Sequence, residues 1–143
     1  MRKTPIKKQS KNRIPTLRRR VWCLFSIYIR LRDCIRTTGS KEWGECFTCD
    51  ETLPFDKLDA GHFIAGRHNG NLFSERGCHA QCRSCNRFKH GNVLEYRRQI
   101  VKLYGVGADL SLEAEARVVR KFTVEELLNL EAELKEKIKL LEV

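Results

Sequence analysis

Two cysteine pairs are the residues of this sequence whose types and spacing point most directly to chemistry. Cys46 and Cys49 form one C-x-x-C motif, and Cys82 and Cys85 form a second. Each such turn places two thiolates on one side of the backbone, and two turns complete the tetrahedral four-sulfur shell that Zn2+ prefers. We therefore predict a structural Zn2+ on these four cysteines, which contributes to folding and supplies no reactive water. The alternative is a set of buried thiols that binds no metal.

The other three cysteines are predicted to be free thiols. Cys23 and Cys34 fall on a predicted helix, where a packed cysteine behaves as a small apolar residue. Cys78 lies close to the second pair but has no partner at ligand spacing. We expect no secretory signal, and therefore reduced cysteines rather than disulfides.

A longer motif surrounds the two cysteine pairs. Its parts are Asp59-Ala-Gly-His62-Phe, then Glu75-Arg76, then a run from His79 to Asn92 that reads His-x-Gln-Cys-x-x-Cys-Asn-x-x-Lys-x-Gly-Asn, and finally Tyr96-Arg97. The motif resembles that of the HNH, or ββα-metal, nucleases, and it resembles more closely the NinG (Rap) family of phage recombination proteins. The resemblance covers about residues 20–143. It implies a DNA endonuclease that acts on branched structures, including Holliday junctions.

Four side chains of this motif are candidates for phosphodiester cleavage, which needs an activated water and a cation that stabilises charge on the phosphate. A neutral histidine is a suitable general base near pH 7, and His62 is the candidate. Mg2+ or Mn2+ prefers oxygen ligands, which Asp59 and Asn86 offer. Lys89 is predicted to contact the scissile phosphate. The alternative for His62 is a hydrogen-bonded structural histidine.

The sequence departs from the common HNH pattern at two positions. Gly61 stands directly before His62, where the common pattern has an acidic residue, and Asp59 lies three residues before the histidine. A β-bulge at Ala60 and Gly61 would restore the aim of Asp59 toward the cation. Gly77 stands where the pattern has its middle asparagine, and we expect this change to affect loop rigidity more than chemistry.

The sequence contains three further histidines, of which two lie within the motif and one in the preceding loop. His79 is a candidate ligand of the catalytic cation or a substitute for the missing asparagine. His90 lies four residues after Asn86, so both side chains would share one side of a helix, and whether His90 is a ligand is left open. His68 falls in a polar loop and is predicted to be solvated or to contact a phosphate.

The charge of the chain points to a polyanionic partner. Lys and Arg number 28 against 18 Asp and Glu, a net charge of +10, which favours nucleic acid or an anionic membrane surface. No apolar run approaches the ~20 residues of a membrane span, so we expect no membrane partner. The basic side chains predicted to contact DNA are Arg76, Arg83, Arg87, Arg97 and Arg98. Such contacts read backbone shape rather than base sequence, and a solvated helix face is the alternative.

The elements that must position these residues follow from apolar spacing. A helix is predicted over residues 21–36, a strand over 58–64, a loop over 65–70 and a helix over 93–104. A last helix starts at Thr123, where Thr123 and Glu126 fit a capping box, and carries a leucine stripe. This stripe either packs on the first helix or forms a homodimer interface. The predicted fold class is α+β: a small zinc-stabilised HNH-like ββα-metal core flanked by N- and C-terminal helices.

Three regions are predicted along the chain. Residues 1–20 hold nine basic and no acidic residues and form a basic flexible arm. Residues 21–105 form the zinc-bound HNH-like nuclease core with its leading helix. Residues 106–143 form a C-terminal linker and an amphipathic helix whose net charge of −3 argues against DNA contact.

Three functions compete for this architecture. The leading hypothesis is a metal-dependent, structure-selective endonuclease that cuts branched recombination intermediates in the cytoplasm of a phage-infected or lysogenic bacterial host. The second is a non-catalytic zinc module that binds branched DNA and recruits other recombination proteins. The third is a sequence-specific HNH nuclease of restriction or homing type, for which the chain has little room. Only the second hypothesis needs neither His62 nor a divalent cation.

Overall fold

Four helices and two antiparallel hairpins build the part of the chain that the structure, a computed structural model, describes: residues 13–66 and 68–143. In chain order the elements are α1 (Ile14–Thr38), β1 (Trp43–Glu45), β2 (Thr52–Pro54), a 3-10 turn (Phe55–Lys57), β3 (Leu58–His62), β4 (Cys78–Cys82), a π-helical turn (Ser84–Phe88), α2 (Val93–Tyr104), α3 (Ala108–Arg117) and α4 (Val124–Leu141). The fold class is α+β, as predicted. None of the helices within these ranges has the length and apolarity needed to cross a membrane.

The first core lies between α1 and α4. On α1, four buried side chains repeat every four residues and form one face: Leu17, Val21, Phe25 and Ile29. Leu127 and Leu134 of α4 pack against this face and are fully or almost fully buried. Of the two alternatives for the leucine stripe, packing on the first helix therefore holds for these two leucines, which are not exposed for a dimer interface. Thr123 caps α4 by accepting a hydrogen bond from the Glu126 backbone N–H.

The N-terminal boundary differs from the prediction. α1 begins at Ile14, with Pro15 in its first turn, where the missing N–H of proline costs no helical hydrogen bond. Leu17 is completely buried against α4. The prediction of a flexible arm over residues 1–20 is therefore wrong for 14–20, because packing on α4 orders a segment whose composition alone favours disorder. The predicted arm residues 1–12 lie outside the described residues.

The β3–β4 hairpin has a continuous register. Its pairs run from Leu58 opposite Cys82 to His62 opposite Cys78, with Ala60 and Gly61 paired in sequence between them. The β-bulge expected at Ala60 and Gly61 is therefore absent from the hairpin.

The first helix fixes the open edge of β4. The carboxylate of Asp33 is buried and accepts the backbone N–H of Ala80 at 2.7 Å. Arg32 donates to the Cys78 carbonyl at 2.8 Å and pairs with Asp33 at 2.9 Å. These bonds satisfy backbone groups that would otherwise be unpaired at a sheet edge, so α1 holds the hairpin in one position.

A second core lies under α2 and α3. Tyr96 and Ile100 of α2 are completely buried and pack with Leu112 of α3. Gly105 and Gly107 have φ angles of 98° and 90° and separate the two helices. The helix α3 was missed, and residues 108–117 pack on the core rather than forming a linker.

Candidate metal centre and active-site groove

The four cysteines of the two C-x-x-C motifs form one cluster. The Sγ atoms of Cys46, Cys49, Cys82 and Cys85 all lie within 4.8 Å of one another, and the Cys49 and Cys82 sulfurs are 3.7 Å apart. Four thiolates at about 2.3 Å from a tetrahedral Zn2+ lie about 3.8 Å from each other. The cluster therefore fits a structural metal such as Zn2+, and the prediction of these four ligands agrees with it.

Local backbone geometry builds both cysteine turns. The first lies between β1 and β2, where the Asp50 N–H donates to the Cys46 carbonyl at 3.0 Å and Asp50 has a φ of 62°. The second begins at the end of β4, where the Cys85 N–H donates to the Cys82 Sγ at 3.3 Å. Burial raises the pKa of the Cys82 thiol to about 11. A bound cation would reverse that shift, because it ligates the thiolate.

The remaining cysteines do not join the cluster. Cys34 and Cys78 are completely buried, and burial raises the pKa of both thiols. Cys23 is exposed on α1, so the expectation that it is packed is wrong.

Asp59 joins β3 to the π-helical turn. Its carboxylate accepts a hydrogen bond from the Asn86 amide at 3.0 Å and two from the Arg87 guanidinium at 2.9 and 3.0 Å. The Nε atom of Arg83 lies 3.9 Å away. Because Cys85 holds the start of this turn in the sulfur cluster, Asn86 is fixed beside Asp59 without a bulge in β3.

A steric restriction explains why glycine stands directly before His62. A Cβ atom on Gly61 would lie 2.0 Å from Oε1 of Gln81 and 2.9 Å from Oδ1 of Asn86. Gln81 is completely buried and donates to the Gly91 carbonyl at 3.0 Å. An acidic side chain at position 61 has no space, so the carboxylate lies two residues earlier on the same face of the strand.

His62 is half-buried and contacts a backbone carbonyl and an aromatic ring. Its Nε2 atom lies 3.0 Å from the Leu72 carbonyl oxygen, and its ring stacks on Trp22 with centroids 5.2 Å apart and an interplanar angle of 22°. A carbonyl only accepts hydrogen bonds, so a neutral His62 carries its proton on Nε2 and its lone pair on Nδ1.

Two adjoining cavities lie beside these residues, and we call them together the candidate active-site groove. A cavity of about 360 Å³ contains His62, Asn86 and His90 in its wall. A second, of about 480 Å³, contains Asp59 with Arg30 and Arg83. The side chains that border both are Trp22, Ala60, Asn86 and Arg87. His62 and Asp59 therefore line adjoining cavities that share Asn86 in their walls, with His90 beside His62.

His79 lies elsewhere. Its side chain is completely buried, with Nε2 2.8 Å from the Tyr104 hydroxyl and Nδ1 3.3 Å from the Tyr96 hydroxyl. The ring stacks on Phe47 at 4.0 Å, and burial lowers the pKa of His79 to about 3. The structure does not bring His79 to Asp59, because both its ring nitrogens face tyrosine hydroxyls inside the core.

The other predicted contact residues separate into different environments. Lys89 is exposed at the end of the π-helical turn, outside the walls of the candidate active-site groove. His68 borders a different cavity, beside α3. Arg97 pairs with Asp109 and Glu113 of α3.

Two of the remaining arginines also have partners away from the groove. Arg98 pairs with Glu95 at 2.8 Å, and the Arg76 guanidinium lies 5.9 Å from the centre of the Tyr104 ring. The basic surface expected over residues 76–102 is therefore divided, and of the five predicted arginines Arg83 and Arg87 border the groove.

Sequence reasoning missed the contribution of α1 to the groove. Trp22, Ser26 and Arg30 border it, and Arg19 lies with Trp22 beside a neighbouring cavity. Their spacing of three, four and four residues places them along one side of a helix. That spacing was available in the sequence, but Arg19 had been assigned to the arm.

The fold and the site define a class of protein: a small α+β protein in which a four-cysteine cluster holds a polar turn beside a hairpin histidine. The chain belongs to the NinG family, since the family model described as "Bacteriophage Lambda NinG protein" matches residues 2–143.

Relatives named "Protein ninG" from Salmonella phage P22, Escherichia phage lambda and Escherichia phage 933W are each 35% identical over 95 residues. Each alignment covers 66% of this chain and 46% of the relative, so the matched region is about half the length of those relatives. No solved structure matches the chain.

Proposed function

We propose that this chain is a metal-dependent endonuclease that cuts branched DNA intermediates of recombination, such as Holliday junctions. The observation that carries the proposal is the candidate active-site groove, where a hairpin histidine and a strand carboxylate line adjoining cavities that share an asparagine on a cysteine-anchored turn. The order of hairpin, anchored turn and helix supports a comparison with the ββα-metal core of HNH nucleases. Arg30, Arg83 and Arg87 give the groove the positive charge that a phosphate backbone requires.

His62 is the proposed general base. With its proton held on Nε2 by the Leu72 carbonyl, the ring accepts a proton from water at Nδ1. The stack on Trp22 restricts ring rotation, so Trp22 is a positioning residue. The proton leaves the water as its oxygen forms the new bond to phosphorus, and the bond from phosphorus to the leaving oxygen breaks.

The proposed cation ligands are oxygen atoms of Asp59 and Asn86, a donor type that fits Mg2+ or Mn2+. A bound cation would stabilise negative charge on the phosphate and on the leaving oxygen. To share a cation with Asp59, the Asn86 amide must present Oδ1 where its Nδ2 now donates to the carboxylate. Arg87 must also exchange its two hydrogen bonds with Asp59, and the guanidinium is then available to a DNA phosphate.

The test compares cleavage of a synthetic four-way junction and a matched linear duplex with Mg2+ and without any added divalent cation. We expect cleavage of the junction that requires Mg2+ and falls about 10²- to 10⁴-fold in His62→Ala, the usual contribution of a general base. Lys139→Ala is the control, because Lys139 is exposed in the last turn of α4 and lies outside the walls of the groove. Undiminished cleavage by His62→Ala would remove the proposed base.

One observation favours a second function, a non-catalytic zinc module that binds branched DNA and recruits recombination proteins. Both carboxylate oxygens of Asp59 already accept hydrogen bonds from Arg87, and Asn86 adds a third. Such an arrangement is also that of a structural ion pair. If the wild type binds the four-way DNA junction tightly but does not cleave it in either Mg2+ or Mn2+, the result would favour this module.

A further inference from the structure

Phe88 is an aromatic side chain that the fold leaves outside its cores. Its exposed fraction is 81%, and it lies in the π-helical turn between Arg87 and Lys89. Single exposed apolar residues are common on protein surfaces. Phe88 differs because of the backbone that presents it and the charges around it.

The backbone on both sides of Phe88 is fixed. The Lys89 N–H donates to the Ser84 carbonyl at 2.9 Å, and the Gly91 N–H donates to the Cys85 carbonyl at 2.9 Å. Cys85 belongs to the sulfur cluster, and Arg87 is bound to Asp59 through two hydrogen bonds. The turn therefore presents an apolar ring from a rigid support.

The surroundings of Phe88 select the chemistry of its partner. Arg83, Arg87 and Lys89 are exposed on the same short segment, and residues 83–94 contain no acidic residue. Arg83 and Arg87 share one carboxylate, that of Asp59, so the positive charge of the segment exceeds the charge of its partner. An apolar protein surface offers nothing to this excess charge, whereas a nucleic acid offers phosphates to the cations and a flat aromatic face to the ring.

We propose that Phe88 stacks on a nucleobase exposed at a DNA branch point and thereby makes the candidate active-site groove prefer branched DNA to continuous duplex. The inference deepens the proposed function and rests on it. Both faces of a base inside a duplex are covered by its neighbours, and stacking there requires unstacking first. At a branch point this stacking is interrupted, so an aromatic ring gains a contact at lower cost.

The test measures binding without added Mg2+ or Mn2+ and without a chelator, so that the proposed cleavage does not occur and the structural zinc stays bound. The probe is a four-way junction with 2-aminopurine at the branch point, compared with the same junction labelled inside one arm and with a linear duplex. We expect the wild type to change the fluorescence of the branch-point label only. In Phe88→Ala that change should disappear, and preference for the junction should fall about 5- to 150-fold, the affinity equivalent of one base–aromatic stack.

Three variants separate stacking from other causes. Phe88→Trp should retain the signal and the preference, and Phe88→Leu, which keeps an apolar side chain without a ring, should lose both. Leu110→Ala is the matched control, because Leu110 is 63% exposed on α3 away from the turn. Circular dichroism and zinc content identify any variant that does not fold.

Failure of this inference differs from failure of the proposed function. If Phe88→Ala keeps the junction preference and the fluorescence change, the stacking inference is wrong even if the wild type cleaves. If the wild type never cleaves but Phe88→Ala loses the preference, stacking stands and the groove binds without catalysis.

Discussion

The two faces of the β3–β4 hairpin place two histidines of one motif in opposite environments. His79 pairs with Gly61 across the hairpin, directly beside the position of His62. His79 is completely buried between Phe47 and two tyrosine hydroxyls. His62 is half-buried and lines the candidate active-site groove. Adjacent positions in one sheet therefore provide a structural histidine and a candidate base, and access to the groove makes the difference.

The largest expected effect comes from a substitution in the cysteine cluster, because unfolding disrupts both faces of the β3–β4 hairpin. In Cys82→Ser the four-sulfur cluster loses a ligand, and the binding free energy of a structural Zn2+ in small domains is about 10–16 kcal/mol. We expect loss of bound zinc and unfolding, measured by metal analysis and circular dichroism. Cys23→Ser is the control, because Cys23 is exposed on α1 and outside the cluster. Full zinc content and a native spectrum in Cys82→Ser would contradict the assignment of this ligand.

A pair of variants, one at each histidine, tests their different roles. His62→Gln should lower cleavage about 10²- to 10⁴-fold at nearly unchanged stability, because a general base is lost. His79→Gln should lower the free energy of unfolding by about 1–3 kcal/mol, because buried hydroxyls lose well-placed partners. Junction cleavage per folded molecule and urea unfolding measure the two effects. If His79→Gln lost cleavage without losing stability, the contrast between the two faces would be wrong.

The pH dependence of stability sharpens the comparison. Burial lowers the pKa of His79 from 6.5 to about 3 in the folded chain, so below pH 6.5 only the unfolded chain takes up this proton. The free energy of unfolding should therefore decrease as the pH is lowered from about 6 to 3, and this residue should contribute about 1.4 kcal/mol per pH unit. The measurement is the difference in unfolding free energy between wild type and His79→Gln at several pH values, in which shared contributions cancel. An equal slope in both would contradict a neutral buried His79.

The smallest expected effect concerns the glycine that separates the histidines. Gly61→Ala adds a Cβ atom 2.0 Å from Oε1 of Gln81, and we expect overpacking to cost about 1–3 kcal/mol. Cleavage should fall as well, because Asn86 borders the same space. Thermal unfolding of Gly61→Ala, Gln81→Ala and the double variant forms a cycle. Additive effects would mean that the contact with Gln81 does not limit position 61.

The charge distribution shows why parts of the site were beyond sequence reasoning. Arg97 was grouped with the DNA-binding arginines because the acids near it in sequence are few. The structure pairs it with Asp109 and Glu113 from a helix that sequence reasoning missed. Conversely, Arg19 and Arg30 lie with Trp22 beside the groove and its neighbouring cavity, and Arg19 does so because α1 begins earlier than predicted.

Local chemistry, which depends on nearby residues, was readable from the sequence. The C-x-x-C spacing identified the four clustered cysteines, apolar spacing predicted α2 over its full extent, and Thr123 was recognised as a helix cap. Each of these features involves residues a few positions apart, where the period of a helix or the reach of a turn determines which atoms meet.

Only the tertiary structure decided which residues of the motif share a site. The sequence placed His62 and His79 in the same motif but could not show that one ring lines the groove and the other lies in the core. It also could not show that Asp59 reaches Asn86 from a hairpin without a bulge. Nor could it show that Gln81 occupies the space beside Gly61. The physical reason is that burial and charge pairing depend on contacts between distant segments, which local spacing does not encode.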